Sequence, residues 1–79
     1  MTDEEFLQAL GGNIRRLRKA QGRTMLDIGS KVNLEESAIQ RIEKGRANST
    51  IKTIRKVAEA LEVDFQDLFD FTHFENPNA

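Results

Sequence analysis

Residues 37–50, SAIQRIEKGRANST, gather the side chains best suited to bind a polyanion. Three cations, Arg41, Lys44 and Arg46, surround a single carboxylate, Glu43, and amides and hydroxyls follow the glycine. Arginine and lysine bind phosphate groups, and amides and hydroxyls hydrogen-bond to phosphates or base edges. The segment therefore predicts contact with a partner that carries many negative charges, and the lone glutamate predicts a partner within the chain.

The charge of the whole chain conceals a basic middle. The net charge is −1, yet all twelve Lys and Arg lie in residues 15–56, where four acids leave a net charge of +8. Residues 1–14 carry −3 and residues 57–79 carry −6. This distribution indicates a polyanion-binding face with acidic flanks turned elsewhere.

Length and composition restrict the class of protein. Seventy-nine residues allow one small domain, and the absence of cysteine excludes disulfides and thiolate metal sites. The acidic start, MTDEEF, and the lack of a long apolar run predict neither a signal peptide nor a membrane span, so a cytoplasmic protein is expected. His73 is the only histidine and lacks a convergent partner. No catalytic centre, metal site or cofactor is therefore predicted.

Helical periodicity dominates the chain, which predicts an all-α fold of five short helices. Their predicted bounds are 3–21, 25–32, 36–43, 51–61 and a short fifth helix after Asp64 that carries Phe65, Leu68 and Phe69. The predicted N-caps are Thr2, Thr24 and Thr50. Gly11 and Gly12 interrupt the first helix, and since each glycine costs about 1 kcal/mol relative to alanine, two shorter helices are the alternative.

The apolar positions of these helices predict the core. The predicted inward residues are Phe6, Leu10, Ile14 and Leu17 on helix 1, Ile28, Val32 and either Met25 or Leu26 on helix 2, Ile39 and Ile42 on helix 3, and Ile51, Ile54, Val57, Ala58 and Leu61 on helix 4. Residues 1–70 are predicted to form the domain, with residues 1–12 as an alternative N-terminal extension. Residues 71–79 form a C-terminal tail, whose stretch THFENPNA is expected to be frayed.

A short turn around Asn33 joins the second and third predicted helices. A pair of helices joined so tightly is the arrangement that places its second helix in a DNA major groove. The residues left outward on the third helix, predicted to read bases, are Glu36, Ser37, Gln40 and Arg41. Arginine suits guanine, glutamine suits adenine and glutamate accepts from cytosine N4. The alternative is an ordinary polar helix surface.

Three stretches, NIRRLRKAQGRT, VNLEESAIQRIEKGRANSTIKTIRKVAEALEV and DLF, resemble the Cro/repressor-type family of helix-turn-helix proteins, also called the xenobiotic-response-element family. The pattern I-x-x-I-E-x-G and the later K-V-A-E-A-L-E-V carry the resemblance. It implies a compact lambda-repressor-like domain that binds double-stranded DNA as a homodimer at a palindromic operator and regulates transcription. The chain also resembles the small controller proteins of restriction–modification systems.

The resemblance implies roles for particular residues. An arginine of helix 1 commonly pairs with the glutamate that ends helix 3 in this family, and the matching residues are Arg18 and Glu43. Phosphate contacts are predicted around the ends of helices 2 and 3, from Arg23, Thr24, Lys44, Arg46, Asn48 and Ser49.

Several positions depart from the family pattern. Met25 replaces a glutamine, Gly29 an alanine, Asn33 a glycine and Glu35 a serine or threonine cap. Glu35 and Glu36 bring two carboxylates toward the groove. Met25, Glu35 and Glu36 keep a second hypothesis open, a protein-interaction module such as the antitoxin of a toxin pair.

Aromatic residues are concentrated at the end of the chain, where four of the five phenylalanines fall in the last fifteen residues. The predicted dimer interface comprises Phe65, Leu68, Phe69, Phe71 and Phe74. For Phe65 and Phe69 the alternative is packing within the monomer. A protein partner, such as a toxin or the polymerase, is left open.

Overall fold

The computed structural model describes residues 1–74, and this part of the chain is helical without any strand. The four α-helices are α1 (Asp3–Ala20), α2 (Met25–Val32), α3 (Glu36–Glu43) and α4 (Ile51–Ala60), and two 3₁₀ helices follow, Phe65–Phe69 and Phe71–His73. The predicted all-α, five-helix class is confirmed, with the fifth helix of 3₁₀ rather than α type. The bounds of α2 and α3 are those predicted.

Side-chain caps explain where the helices begin. Reciprocal hydrogen bonds form capping boxes at the starts of α1 and α2, between Thr2 and Glu5 and between Thr24 and Asp27. The Thr50 hydroxyl accepts from the Thr53 N–H at 3.2 Å, which caps α4. Glu35 precedes α3 without a side-chain cap. The start of α3 therefore depends on packing for its stability.

Helix α1 runs unbroken through Gly11 and Gly12, so the alternative of two shorter helices is wrong. A Cβ atom at Gly11 would overlap the Ile42 carbonyl oxygen and lie 2.7 Å from that of Glu43. The helices α1 and α3 thus meet backbone to backbone, and the burial gained there offsets the helix-weakening effect of glycine. At Gly12 a Cβ would meet nothing within 4 Å.

The turn between α2 and α3 is as tight as predicted. Asn33 adopts the left-handed conformation, with φ 59° and ψ 43°, and the Leu34 N–H donates to the Gly29 carbonyl at 2.8 Å. A Cβ at Gly29 would lie 2.5 Å from the Leu34 carbonyl oxygen, so the turn requires glycine there. Gly45 ends the α3 region at φ 71°, directly against the backbone of Gln8.

The core forms where the four α-helices and the first 3₁₀ helix converge. The largest side chains with almost no exposed surface are Ile14, Ile28, Ile39, Val57, Leu61 and Leu68. Met25 packs against the core and Leu26 is 59 % exposed, which decides between the two alternatives for α2. Phe6 and Ile51 were predicted to face inward, but they are 42 % and 71 % exposed. Both lie in the first turn of their helices, at the margin of the core.

The C-terminal part of the described chain returns to α1. The Asn13 side chain, 5 % exposed, donates to the carbonyls of Asp67 and Leu68 at 2.8 and 2.9 Å. Residues 71–73 form a 3₁₀ helix rather than a frayed tail, because the Phe71 ring packs edge-on against Phe6. The rest of the predicted tail, residues 75–79, lies outside the described residues.

Candidate nucleic-acid interface

The outward face of α3 carries the four predicted base-reading residues. All four are exposed: Glu36, Ser37, Gln40 and Arg41. Ile39 and Ile42, on the opposite face, are 1 % and 6 % exposed. The core therefore holds α3 by its apolar side and leaves a continuous polar face free for a partner.

Behind this face, Arg18 of α1 and Glu43 of α3 form a bidentate ion pair. Arg18 Nε donates to Glu43 Oε2 at 2.7 Å, and a second guanidinium nitrogen donates to Oε1 at 3.0 Å. Their side chains are only 7 % and 2 % exposed. Arg18 also donates to the Arg23 carbonyl at 2.8 Å, and the hydrogen bonds to Glu43 raise the pKa of Arg18 above its already high ordinary value. The glutamate among the cations thus has an internal partner and joins α1 to α3.

The segment after α3 surrounds a small groove with polar groups. Arg41, Asn48 and Ser49 line this groove of about 280 Å³ between α3 and the start of α4. The Arg46 N–H donates to the Arg41 carbonyl at 2.9 Å, which fixes the path of the chain beside α3. Lys44, Arg46 and Asn48 are exposed, and Ser49 is half-buried. The structure therefore brings Arg46, Asn48 and Ser49 together beside Arg41, whereas Lys44 lines a cavity beside α1.

At the start of α2, the side chains of Arg23 and Thr24 lie in different environments. Thr24 is exposed, and its backbone N–H and hydroxyl lower the pKa of Asp27 through hydrogen bonds. Arg23 is half-buried, donates to the Ala60 carbonyl and pairs with Glu62 at 3.3 Å. Its guanidinium thereby fastens α2 to the end of α4, so it is not free for the predicted phosphate contact.

Four phenylalanine rings form one cluster. Two residues of the predicted dimer interface, Leu68 and Phe74, do not belong to it. Ring centroids lie 5.3 Å apart for Phe6 and Phe71, 6.1 Å for Phe6 and Phe69, and 5.1 Å for Phe65 and Phe69. Leu68 is 0 % exposed and fills the core, so the prediction that it faces a partner is wrong. Phe74 lines a separate cavity beside α1.

Beside the cluster lies Ile51, which sequence reasoning had assigned to the core. A hollow of about 200 Å³ is lined by Phe6, Ile51 and Phe69, among others. Helical periodicity alone predicts that Phe6 and Ile51 face inward. Both lie in the first turn of a helix, and this position was the signal in the sequence that the core need not extend to them. We call Phe6, Ile51, Phe65, Phe69 and Phe71 the aromatic surface.

Other kinds of site find little support in residues 1–74. Over this range no group of three or more His, Cys, Asp or Glu is placed to hold a metal ion. None of the helices in it is both long and apolar enough to cross a membrane.

The fold and the α2–turn–α3 geometry match a family model described as Helix-turn-helix over residues 14–68. The chain belongs to this family of Cro/C1-type DNA-binding transcriptional regulators, which are not enzymes. The matched range includes α2, α3 and the ion pair, so the family assignment covers the whole candidate interface.

Individual relatives agree with this assignment. The chain is 30 % identical over 64 residues to an uncharacterized HTH-type transcriptional regulator, y4dJ, of Sinorhizobium fredii, covering 81 % of this chain and 83 % of the relative. It is similar to the restriction-modification controller protein C.AhdI from Aeromonas hydrophila, with 30 % identity and a TM-score of 0.77 over 80 % of this chain and 96 % of that one. A regulator of this family from Vibrio cholerae is 27 % identical with a TM-score of 0.80, and the match covers 91 % of this chain but 42 % of the longer one.

Proposed function

We propose that the chain is a homodimeric regulator that binds a palindromic operator and inserts one α3 into each of two major grooves. The observation that carries this proposal is the exposed face of α3, which presents Glu36, Ser37, Gln40 and Arg41 while its apolar side is fixed in the core. These side chains offer both donors and acceptors to base edges. The buried Arg18–Glu43 pair supports the proposal because it holds the end of α3 at a fixed position on α1.

Contacts to the DNA backbone are proposed for the groups around α3. Arg46, Asn48 and Ser49 lie beside Arg41, Lys44 directly follows α3, and Thr24 lies at the start of α2. Backbone contacts set the position of a protein on the duplex and carry little sequence preference. Arg23 is left out of this set because its guanidinium is engaged with Ala60 and Glu62.

Dimerisation is proposed through the aromatic surface. Ile51 is 71 % exposed and Phe6 is 42 % exposed, next to the rings of Phe69 and Phe71. Aromatic residues are enriched at the centres of such interfaces, and a twofold dimer presents its two recognition helices to half-sites about one helical turn, roughly 34–36 Å, apart.

The likeness to a controller protein supports a regulatory role. The match covers 96 % of C.AhdI, a restriction-modification controller protein. We infer that this chain similarly regulates transcription by occupying its operator.

A protein-interaction module, such as an antitoxin, is the second candidate. Met25 packs inward and cannot donate to DNA, and Glu35 and Glu36 are exposed carboxylates at the start of α3. Like charge toward phosphates opposes DNA binding, which favours a partner of another kind.

Selection from a random duplex DNA library with the purified protein tests the main proposal. An enriched inverted repeat supports a dimeric regulator and gives the half-site spacing directly. Lys56→Ala, which changes an exposed cation outside the proposed contact set, is the control and should recover the same repeat. A library without enrichment refutes sequence-specific binding and favours the protein-interaction module.

Analytical ultracentrifugation tests the dimer separately. Ile51→Glu should dissociate the dimer without unfolding the monomer, because residue 51 is exposed and a glutamate suits the first turn of a helix. Leu26→Glu introduces the same change at a 59 % exposed position in the first turn of α2 and should leave the dimer intact. Equal sedimentation of both variants and the parent chain would place the interface elsewhere.

A further inference from the structure

A cavity of about 400 Å³ lies between α1 and the second 3₁₀ helix, and Lys44 is the one proposed DNA-contacting residue that lines it. One face of α1 forms its floor through Gln8, Gly12 and Arg16, and Phe71 and Phe74 form a wall. Its volume is in the range of sites that hold small organic ligands, about 300–1,000 Å³.

Gly12 has no role in packing the protein itself. Gly11 is required by α3, but a Cβ at residue 12 would meet nothing within 4 Å. Glycine in the middle of a helix weakens it, and a common reason to keep one is the close approach of another molecule to the backbone. Gly12 opens the floor of the cavity in this way.

The polar groups of the cavity are unevenly satisfied. Gln8 Oε1 is buried without a hydrogen-bond partner. Arg16, which donates to the Asn13 side-chain oxygen at 3.1 and 2.7 Å, lines the cavity together with Lys44 and His73. The carboxylate that lines it, Asp70, already accepts from the N–H and hydroxyl of Thr72 at 3.2 and 2.9 Å. The cavity therefore offers cations beside an aromatic wall, and the unsatisfied Gln8 oxygen is buried within one of the lining side chains.

We propose that this cavity binds a small organic acid with a flat apolar body, an anionic group and an N–H or O–H donor. The body lies over Gly12 against Phe71 and Phe74, and the anion lies near Arg16 and Lys44. The donor pairs with the Gln8 oxygen once that side chain turns toward the ligand, which removes the cost of leaving the oxygen buried and unpaired. Carboxylate and phosphate ligands share this chemistry.

Binding here would reach the aromatic surface through one residue. Phe71 lines the cavity and also packs against Phe6 and Phe69, with ring centroids 5.3 and 6.2 Å away. A ligand that positions Phe71 would change the affinity of the dimer and hence of DNA binding. This coupling rests on the proposed function, whereas ligand binding itself does not.

Titration of the ¹⁵N-labelled full chain with indole-3-acetate, followed by NMR, tests the site without DNA. The probe has a flat ring, a carboxylate and an N–H donor. Saturable shifts of the amides of Gly12, Asn13 and residues 71–74 are expected. Indole-3-acetamide, which lacks the charge, should bind about tenfold more weakly, since a hydrogen bond to a charged group is the stronger kind.

Gly12→Leu is the decisive variant, because its side chain fills the cavity and leucine favours a helix more than glycine does. It should abolish the shifts, whereas Ala20→Leu, at an exposed position of the same helix, should keep them. The proposal is overturned if indole-3-acetate gives no saturable shift, if Gly12→Leu binds as well as the parent, or if acetate alone gives the same pattern. Each of these results can occur with or without an enriched operator, so the two proposals fail independently.

Discussion

Replacing Glu43 by alanine should cost far more stability than removing any exposed charge of this protein. The change leaves the Arg18 guanidinium in a position where its side chain is 7 % exposed, with the Arg23 carbonyl as its remaining acceptor. Breaking a buried ion pair by removing one partner typically costs about 3–5 kcal/mol, because the other charge stays buried and uncompensated. A domain of 79 residues has a free energy of unfolding of only about 4–12 kcal/mol. The loss is therefore a large fraction of the total, and at the lower end of this range the variant is partly unfolded at 25 °C.

Urea denaturation followed by far-UV circular dichroism measures the loss, and thermal melting provides a second estimate. A loss of 3 kcal/mol corresponds to a Tm lowered by at least roughly 12 °C in a domain of this size. Glu59→Ala is the matched control, since the Arg55–Glu59 pair is 3.7 Å long with side chains 64 % and 68 % exposed. Its loss should not exceed about 1 kcal/mol.

The double variant Arg18→Met, Glu43→Leu separates burial of the charge from the loss of packing. Apolar side chains of similar size often replace a buried ion pair at little cost, so the double variant should be more stable than Glu43→Ala alone. The reasoning is refuted if Glu43→Ala and Glu59→Ala lower the free energy of unfolding equally. Such a result would mean that solvent screens the pair despite its burial.

Three further predictions follow from local geometry. Gly11→Ala should lower the free energy of unfolding by about 1–3 kcal/mol, because its Cβ overlaps the backbone of α3. Gly12→Ala should raise it by about 0.5–1 kcal/mol. Equal effects of the two changes in urea denaturation would refute the close packing of α1 and α3. Because the folded protein lowers the pKa of Asp27, its carboxylate stabilises the fold at pH values above the ordinary pKa of 3.8. This contribution is lost as the pH falls through the lower pKa of the folded state. Urea midpoints measured between about pH 5 and 2 should therefore fall less steeply for Asp27→Asn than for the parent. In binding assays with operator variants, Arg41→Ala should relax preference at one base pair by about 1–3 kcal/mol, whereas Arg46→Ala should weaken binding to all sequences alike; a uniform loss for Arg41→Ala would show that α3 lies differently in the groove.

Local signals in the sequence were sufficient to predict α2, α3 and the turn between them. Thr24 caps the start of α2, Asn33 adopts the left-handed conformation at its end, and Gly45 follows the end of α3. Each of these boundaries therefore depends on a residue close to it. The all-α class and the face of α3 follow from the same helical periodicity. The pairing of Arg18 with Glu43, twenty-five residues apart, came from the family resemblance, because nothing local to either residue specifies the other.

The errors occur where the outcome depends on distant parts of the chain. Gly11 looks like a helix breaker until α3 is seen to pack on it. Arg23 resembles a phosphate ligand, but it has the carbonyl of Ala60, thirty-seven residues away, as an acceptor. Leu68 and Ile51 are both apolar, but their exposed fractions are 0 % and 71 %. The difference arises because the core covers the first 3₁₀ helix but does not extend to the first residue of α4. Periodicity predicts which face of a helix is apolar but not how far the core extends along it.

The packing of Phe6 against Phe69 and Phe71 also brings the acidic first turn of α1 toward the two 3₁₀ helices. The first turn of α1 carries three carboxylates, and Asp64 and Asp70 flank the first 3₁₀ helix. In the proposed dimer, closed through the aromatic surface, the like charges of these elements on the two copies repel. Added salt screens this repulsion over a Debye length of about 10 Å at 0.1 M, so it strengthens the dimer, while the same salt weakens attraction between the basic segment and DNA. Ionic strength thus acts in opposite directions on assembly and on operator binding, and occupancy should pass through a maximum at an intermediate salt concentration.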